Sequence, residues 1–109
     1  MRGTNSGDEV GAVPAKIHSY GDSEFKGQGG QTMYCFHCPG CGYDHPFHVP
    51  AWQWNGSMDV PTFRPSLMVF GMEPSKRCHS WVTDGKIQFL ADTFHDLRGQ
   101  TVELPDWDD

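Results

Sequence analysis

A mostly β domain of short strands and hairpins, with one short helical turn, is the fold class this sequence predicts; a small α+β arrangement is the alternative. Three observations predict it. Thirteen glycines and eight prolines in 109 residues break up long helices and supply turns. Apolar and polar residues alternate at period two in several short runs. The clearest run joins Cys78–Val82 to Ile87–Leu90 through Thr83-Asp84-Gly85-Lys86, a hairpin around an Asp-Gly turn.

Taken in order, residues 1 to 30 read as an extended or flexible N-terminal arm. Glycines interrupt a polar stretch there, with only Val10, Val13, Ile17, Tyr20 and Phe25 as apolar anchors. Residues 31 to 109 form the compact domain. Thr32, Tyr34 and Phe36 alternate with Met33, Cys35 and His37, which suits a strand. His45–Pro50 and Ala51–Trp54 read as further extended pieces, closed by Asn55-Gly56. Ser66–Phe70, between Pro65 and Gly71, reads as a buried strand. After the hairpin, Asp92 caps a short helical segment that Gly99 stops. Thr101–Leu104 is a last strand before the acidic tail Asp106–Asp109. Trp52, Trp54 and Trp81 are expected to fill the core.

The composition is lean, with 37% hydrophobic and 20% charged residues, enough for one modest core. The net charge is −6, and Lys76-Arg77 is the only adjacent basic pair. Binding nucleic acid needs a basic face that releases counterions, so nucleic acid is not the expected partner. No apolar run reaches the length of a membrane span, and no export signal opens the chain. The cytoplasm is the expected compartment, where thiols stay reduced.

Three of the four cysteines lie within seven residues, Cys35-Phe36-His37-Cys38-Pro39-Gly40-Cys41, and the fourth is Cys78 beside His79. Two thiolates on a Pro-Gly turn can grip one tetrahedral ion from the same side, while backbone N–H groups stabilise their charge. A disulfide pair or a redox dithiol is the competing reading, but the redox reading needs a βαβ context that the chain lacks. Zinc is therefore the expected cofactor. Cys38, Cys41 and Cys78 are the expected ligands with His95 as the fourth; His79, His45 and Cys35 are the alternatives. Cys35 precedes the turn and suits a buried free thiol. Cys78 and His79 should face opposite sides of their strand.

Two clusters carry possible catalytic chemistry. His79, Asp92 and His95 suit an open zinc site, in which Asp92 or Asp96 orients a histidine or acts as base. Ser66, with a histidine and Asp92, forms a weaker nucleophilic triad, because a serine after proline is usually a turn residue. Neither a Gly-x-Ser-x-Gly elbow nor a His-Glu-x-x-His helix is present.

The series Cys38-Pro-Gly-Cys41-Gly, Trp54-Asn-Gly56, Pro61-Thr-Phe-Arg-Pro-Ser-Leu67, Cys78-His79, Asp84–Leu90, Asp92-Thr-Phe-His95 and Gly99–Pro105 resembles a known family. Its members are small uncharacterised proteins common in tailed-phage genomes, with relatives in bacterial operons that encode ubiquitin-like conjugation enzymes. The likeness spans about residues 34 to 107. Some members carry the label ammonia monooxygenase, to which thiolate ligands are ill suited. The resemblance implies a metal-binding domain. The expected function is a zinc-stabilised accessory protein acting by contact with a host or virion protein, in the host cytoplasm or the virion. The alternative is a peptidase-like zinc-dependent hydrolase.

Overall fold

Strand pairing is local. Each of eight antiparallel strands pairs with a chain neighbour, and the ladder breaks only between the third and fourth. The computed structural model describes residues 15–70 and 73–107. The first sheet holds β1 (His18–Phe25), β2 (Gln28–His37) and β3 (Asp44–Val49) in that order. The second holds β4 (Gln53–Trp54), β5 (Phe63–Val69), β6 (Cys78–Thr83), β7 (Lys86–Phe89) and β8 (Thr101–Glu103). Among the described residues there is one 3₁₀ turn, Pro74–Lys76, and no helix long and apolar enough to cross a membrane.

Residues directly opposite one another across a ladder share a face. On the first sheet, Tyr34 faces Phe47 and Phe36 faces His45. On the second, Leu67 faces Ser80, Ser80 faces Phe89 and Val82 faces Ile87. These two faces meet in one core. The Phe47 and Phe63 rings stack across it at 4.1 Å, and both are at most 1% exposed. Removing either ring would cost about 3–5 kcal/mol.

The mostly β class and the Asp84-Gly85 hairpin are as the sequence predicted, with Thr83 paired to Lys86 across the turn. Both turn residues have positive φ, 50° and 79°, as a two-residue hairpin with matching twist requires.

Three expectations change. The arm expected over residues 1 to 30 lies outside the described residues up to residue 14, but its remainder belongs to the fold. Ile17 is 2% exposed in the core, and β1 pairs with β2 from His18 opposite Cys35 to Phe25 opposite Gln28. No β1 residue is fully buried, so the period-two signal is absent. The helix expected over Asp92–Gly99 is a run of turns instead. Its backbone donors serve the sheet: Phe94 N–H bonds the Arg77 carbonyl at 2.8 Å and Gly99 N–H the Phe89 carbonyl at 2.9 Å. Eight residues also gain too little to offset helix nucleation. Trp52 and Trp54 pack against the core, whereas Trp81 lies on the outer face beneath the Arg64 guanidinium, 5.0 Å from its ring.

Gly85→Ala tests the hairpin turn. A Cβ there would come within 3.3 Å of the Asp59 carbonyl oxygen, at a φ that disfavours L-residues. Urea denaturation should show a loss of about 1–2 kcal/mol.

Candidate active site and metal centre

The Pro-Gly turn connects β2 to β3. Cys38 N–H bonds the Tyr43 carbonyl at 3.1 Å, Gly42 N–H bonds the Cys38 carbonyl at 2.9 Å, and Cys41 N–H points at the Cys38 sulfur at 3.3 Å. Cys38 continues the inner-face series Tyr34, Phe36, and His45 enters from β3 on the same face. Cys78 arrives from β6 in the other sheet. One ligand atom each from Cys38, Cys41, His45 and Cys78 lies within 4.8 Å of all the others.

The chemistry of this cluster fits a metal ion. His45 is 1% exposed, yet neither ring nitrogen has a hydrogen-bond partner. A buried imidazole without partners is costly unless something accepts its lone pair. The Cys78 thiol, 4.0 Å away, donates to Cys38 and is the main reason Cys38 falls to about 3, against the opposing effect of burial. The same shared proton, with burial, pushes Cys78 up. Burial, then the Cys38 charge, raises Cys41 to about 11. A metal would displace the two retained protons.

His95, expected as the fourth ligand, is not in that mutually close set; His45, named as an alternative, is. His95 is 9% exposed, its ring lies against Gly40, and its Nε2 is 3.6 Å from the Cys78 sulfur. Leu97 N–H donates to its Nδ1 at 3.3 Å, so in the neutral ring Nε2 carries the proton and donates to sulfur. It supports a ligand. Cys35 is buried on the opposite face of β2, and burial raises it to about 11. The structure therefore leaves it a thiol.

The open site expected from His79, Asp92 and His95 is not assembled. Cys78 is buried and His79 points out from the other face of β6. His79 and Asp92 meet each other there, and a third group joins them. Ser66 Oγ donates to His79 Nε2 at 2.9 Å, while His79 Nδ1–H donates to the Asp92 carboxylate, with both oxygens at 3.2 Å. A carboxylate only accepts, which fixes the proton on Nδ1 and leaves Nε2 as the acceptor. The Arg77 guanidinium lies 3.8 Å from Asp92. Asp96 bonds neither histidine.

A strand irregularity delivers Ser66. Between Phe63 opposite Val82 and Leu67 opposite Ser80, β5 advances four residues while β6 advances two. The bulge contains Arg64-Pro65-Ser66. Arg64 braces it through the Phe63 carbonyl (2.8 Å), the Val82 carbonyl (2.9 Å) and Thr83 Oγ1 (2.8 Å). Trp52 Nε1–H holds the Pro65 carbonyl at 3.0 Å. Beyond the bulge, Met68 sits opposite His79, so Ser66, two residues earlier, shares the histidine's face.

Sequence reasoning missed Thr93. Its hydroxyl accepts from His79 N–H at 3.0 Å and donates to the His79 carbonyl at 2.9 Å. It is 2% exposed and ties the Asp92 turn to the histidine's backbone. Its place next to Asp92 was the only signal, and Thr at a turn is too common to act on.

A family model described as bacterial ubiquitination-like system serine protease (BubE) matches residues 10–90. That is 81 of 109 residues (90 − 10 + 1) and includes Ser66, His79, the cysteines and His45. No curated protein and no solved structure matches the chain.

The metal centre predicts one tightly held ion per chain, read by elemental analysis of protein purified without added metal. His45→Ala and Cys78→Ser should lose it, whereas Cys35→Ser should keep it. In the native protein Cys35 should also resist iodoacetamide at neutral pH, checked by mass spectrometry.

Proposed function

Because the chain belongs to the bacterial ubiquitination-like system serine protease (BubE) family, we propose that it is a serine hydrolase acting on acyl bonds in proteins of such a system. The observation that carries this reading is the unbroken hydrogen-bond chain from Ser66 through His79 to Asp92. The serine is the nucleophile, the histidine the general base and then acid, and the aspartate the orienting carboxylate.

In the first step Ser66 Oγ attacks the substrate carbonyl carbon and its proton passes to His79 Nε2. The carbonyl π pair moves to oxygen, and a tetrahedral intermediate forms. As it collapses, the carbonyl re-forms, the bond to the leaving group breaks, and Nε2–H protonates that group. Water then attacks the acyl-serine by the same route and restores Ser66. Throughout, Asp92 stays ionised and holds the ring in the tautomer that frees Nε2.

The metal centre is read as structural zinc. Three thiolates and one imidazole suit that ion, and four protein donors would supply the full ligand count of a structural site. Cys38, Cys41, His45 and Cys78 would hold it, and when bound it would neutralise the thiolates and tie the two sheets together. A zinc-dependent hydrolase built on His79 and His95 finds no support, since His79 already serves Ser66. The partner is a protein substrate, in the cytoplasm, where cysteines stay reduced, in keeping with four cysteines outside any disulfide.

The test uses p-nitrophenyl acetate turnover together with fluorophosphonate labelling. Ser66 should be the labelled residue. Ser66→Ala should lower kcat by about a thousandfold or more, and Asp92→Asn by about 10⁴, with folding unchanged by circular dichroism. Full turnover in Ser66→Ala, or turnover that vanishes on mild chelation while the fold persists, would overturn the assignment.

A further inference from the structure

Ser66 opens onto a cleft of about 550 Å³ at the joint between the two sheets. Phe25 from the end of β1, Pro46 and His48 from β3, Trp52 from the β3–β4 turn and Met68 from β5 line it. The Phe25 ring stacks on His48 at 4.9 Å and meets Trp52 edge-on at 5.1 Å. Burial lowers the His48 pKa, so its imidazole is neutral at pH 7. Among the described residues no carboxylate lines this wall, and Lys26 is the one group there with a fixed charge.

The backbone beside the serine is open as well. β6 pairs with Leu67, Met68 and Val69 on one side of β5, whereas β4 pairs only with Phe63 and Arg64 on the other. Among the described residues, Ser66–Val69 therefore has a free ladder edge facing the cleft. An extended peptide satisfies such an edge through main-chain bonds and places alternate side chains in adjoining pockets.

We propose that this cleft is the specificity pocket of the serine hydrolase, receiving a bulky apolar side chain of an extended peptide that lies along β5 with its scissile carbonyl at Ser66. The substrate class is a peptide with a Leu- or Phe-like residue at the cleavage point. The occupant follows from the place of the pocket, because its wall includes the nucleophile itself. An apolar side chain gains from burial among Phe25, Trp52 and Met68, and a charged one would lose its hydration with no counter-ion except Lys26. Rings on two strands and one turn set the pocket's width, so size rather than hydrogen bonding does the selecting.

This inference rests on Ser66 as the nucleophile, and the experiment separates the two. Acetyl-Ala-Ala-Xaa p-nitrophenyl esters with Xaa as Ala, Leu or Phe would be turned over by wild type, Phe25→Ala and Met68→Thr. Fluorophosphonate labelling of Ser66 in each protein reports nucleophile and fold independently of the pocket. Wild type should favour the Leu or Phe ester over the Ala ester by about tenfold or more in kcat/KM. Both variants should still label at Ser66, which reports a folded protein with its nucleophile in place, while that preference shrinks to about threefold or less. Normal labelling with no preference in wild type, or with the preference intact in both variants, overturns the pocket. Failure of wild-type Ser66 to label overturns the nucleophile and the pocket with it.

Discussion

The rest of the structure depends on one step along β6, from Cys78 to His79. A strand sends consecutive side chains to opposite faces. The first of these residues enters the core beside Cys38 at 4.0 Å, and the second stands on the outer face 2.9 Å from Ser66. The Cys/His cluster and the Ser66–His79–Asp92 hydrogen-bond chain thus share a strand but no surface. Whatever fixes Cys78 also fixes the origin of His79, because one peptide unit connects them. The fixing groups come from both sheets: Cys38, Cys41 and His45 from the first, Cys78 from the second.

Magnitudes explain why a metal suits this place. A domain of this size has a net stability of only about 5–15 kcal/mol. The shared core is small, with seven buried phenylalanine, isoleucine and valine side chains among the described residues. Structural zinc in comparable donor sets supplies roughly 10–16 kcal/mol of apparent binding energy at neutral pH. That exceeds what losing any single ring in this core would cost, about 3–5 kcal/mol. Without an ion, the buried cluster holds a thiolate at Cys38, protonated neighbours and an imidazole with no partner. That arrangement is held together by shared protons, which leave when metal enters.

The sequence made the metal-binding turn and the last hairpin legible, because both depend on contacts a few residues apart. The Pro-Gly turn and the Asp84-Gly85 turn carry their geometry in their own residue types. Cys78 with His79 was also readable, since strand alternation alone assigns them to opposite faces. The choice of His45 over His95 was not. Both histidines lie near Cys78, and only the register of Phe36 opposite His45 brings the latter among the thiols. Ser66 looked like a turn residue because a proline precedes it. What brings it to His79 is the two-residue excess of β5 over β6, a property of pairing that no local pattern records. The first hairpin was hidden for a different reason: no β1 residue is fully buried and its half-buried positions are His18, Gly21, Ser23 and Phe25, so there was little hydrophobic period to find.

A triad of this kind is within reach of a small β domain because its parts come from consecutive elements. Ser66 lies on β5, His79 on β6 and Asp92 in the turn that follows β7, and β5, β6 and β7 are sheet neighbours in that order. No long crossover is needed, only a bulge on one side and a turn held back on the other. The bulge is braced by Arg64 and Trp52, the turn by Thr93, and each brace ends on backbone. A reacting constellation tolerates displacements of only about 0.5 Å, and side chains anchored to main chain move less than side chains anchored to one another. The outer face is therefore positioned by the same ladders that carry the Cys/His cluster on the inner face. An ion held by Cys38, Cys41, His45 and Cys78 would thus bear, from the opposite face, on the geometry around Ser66.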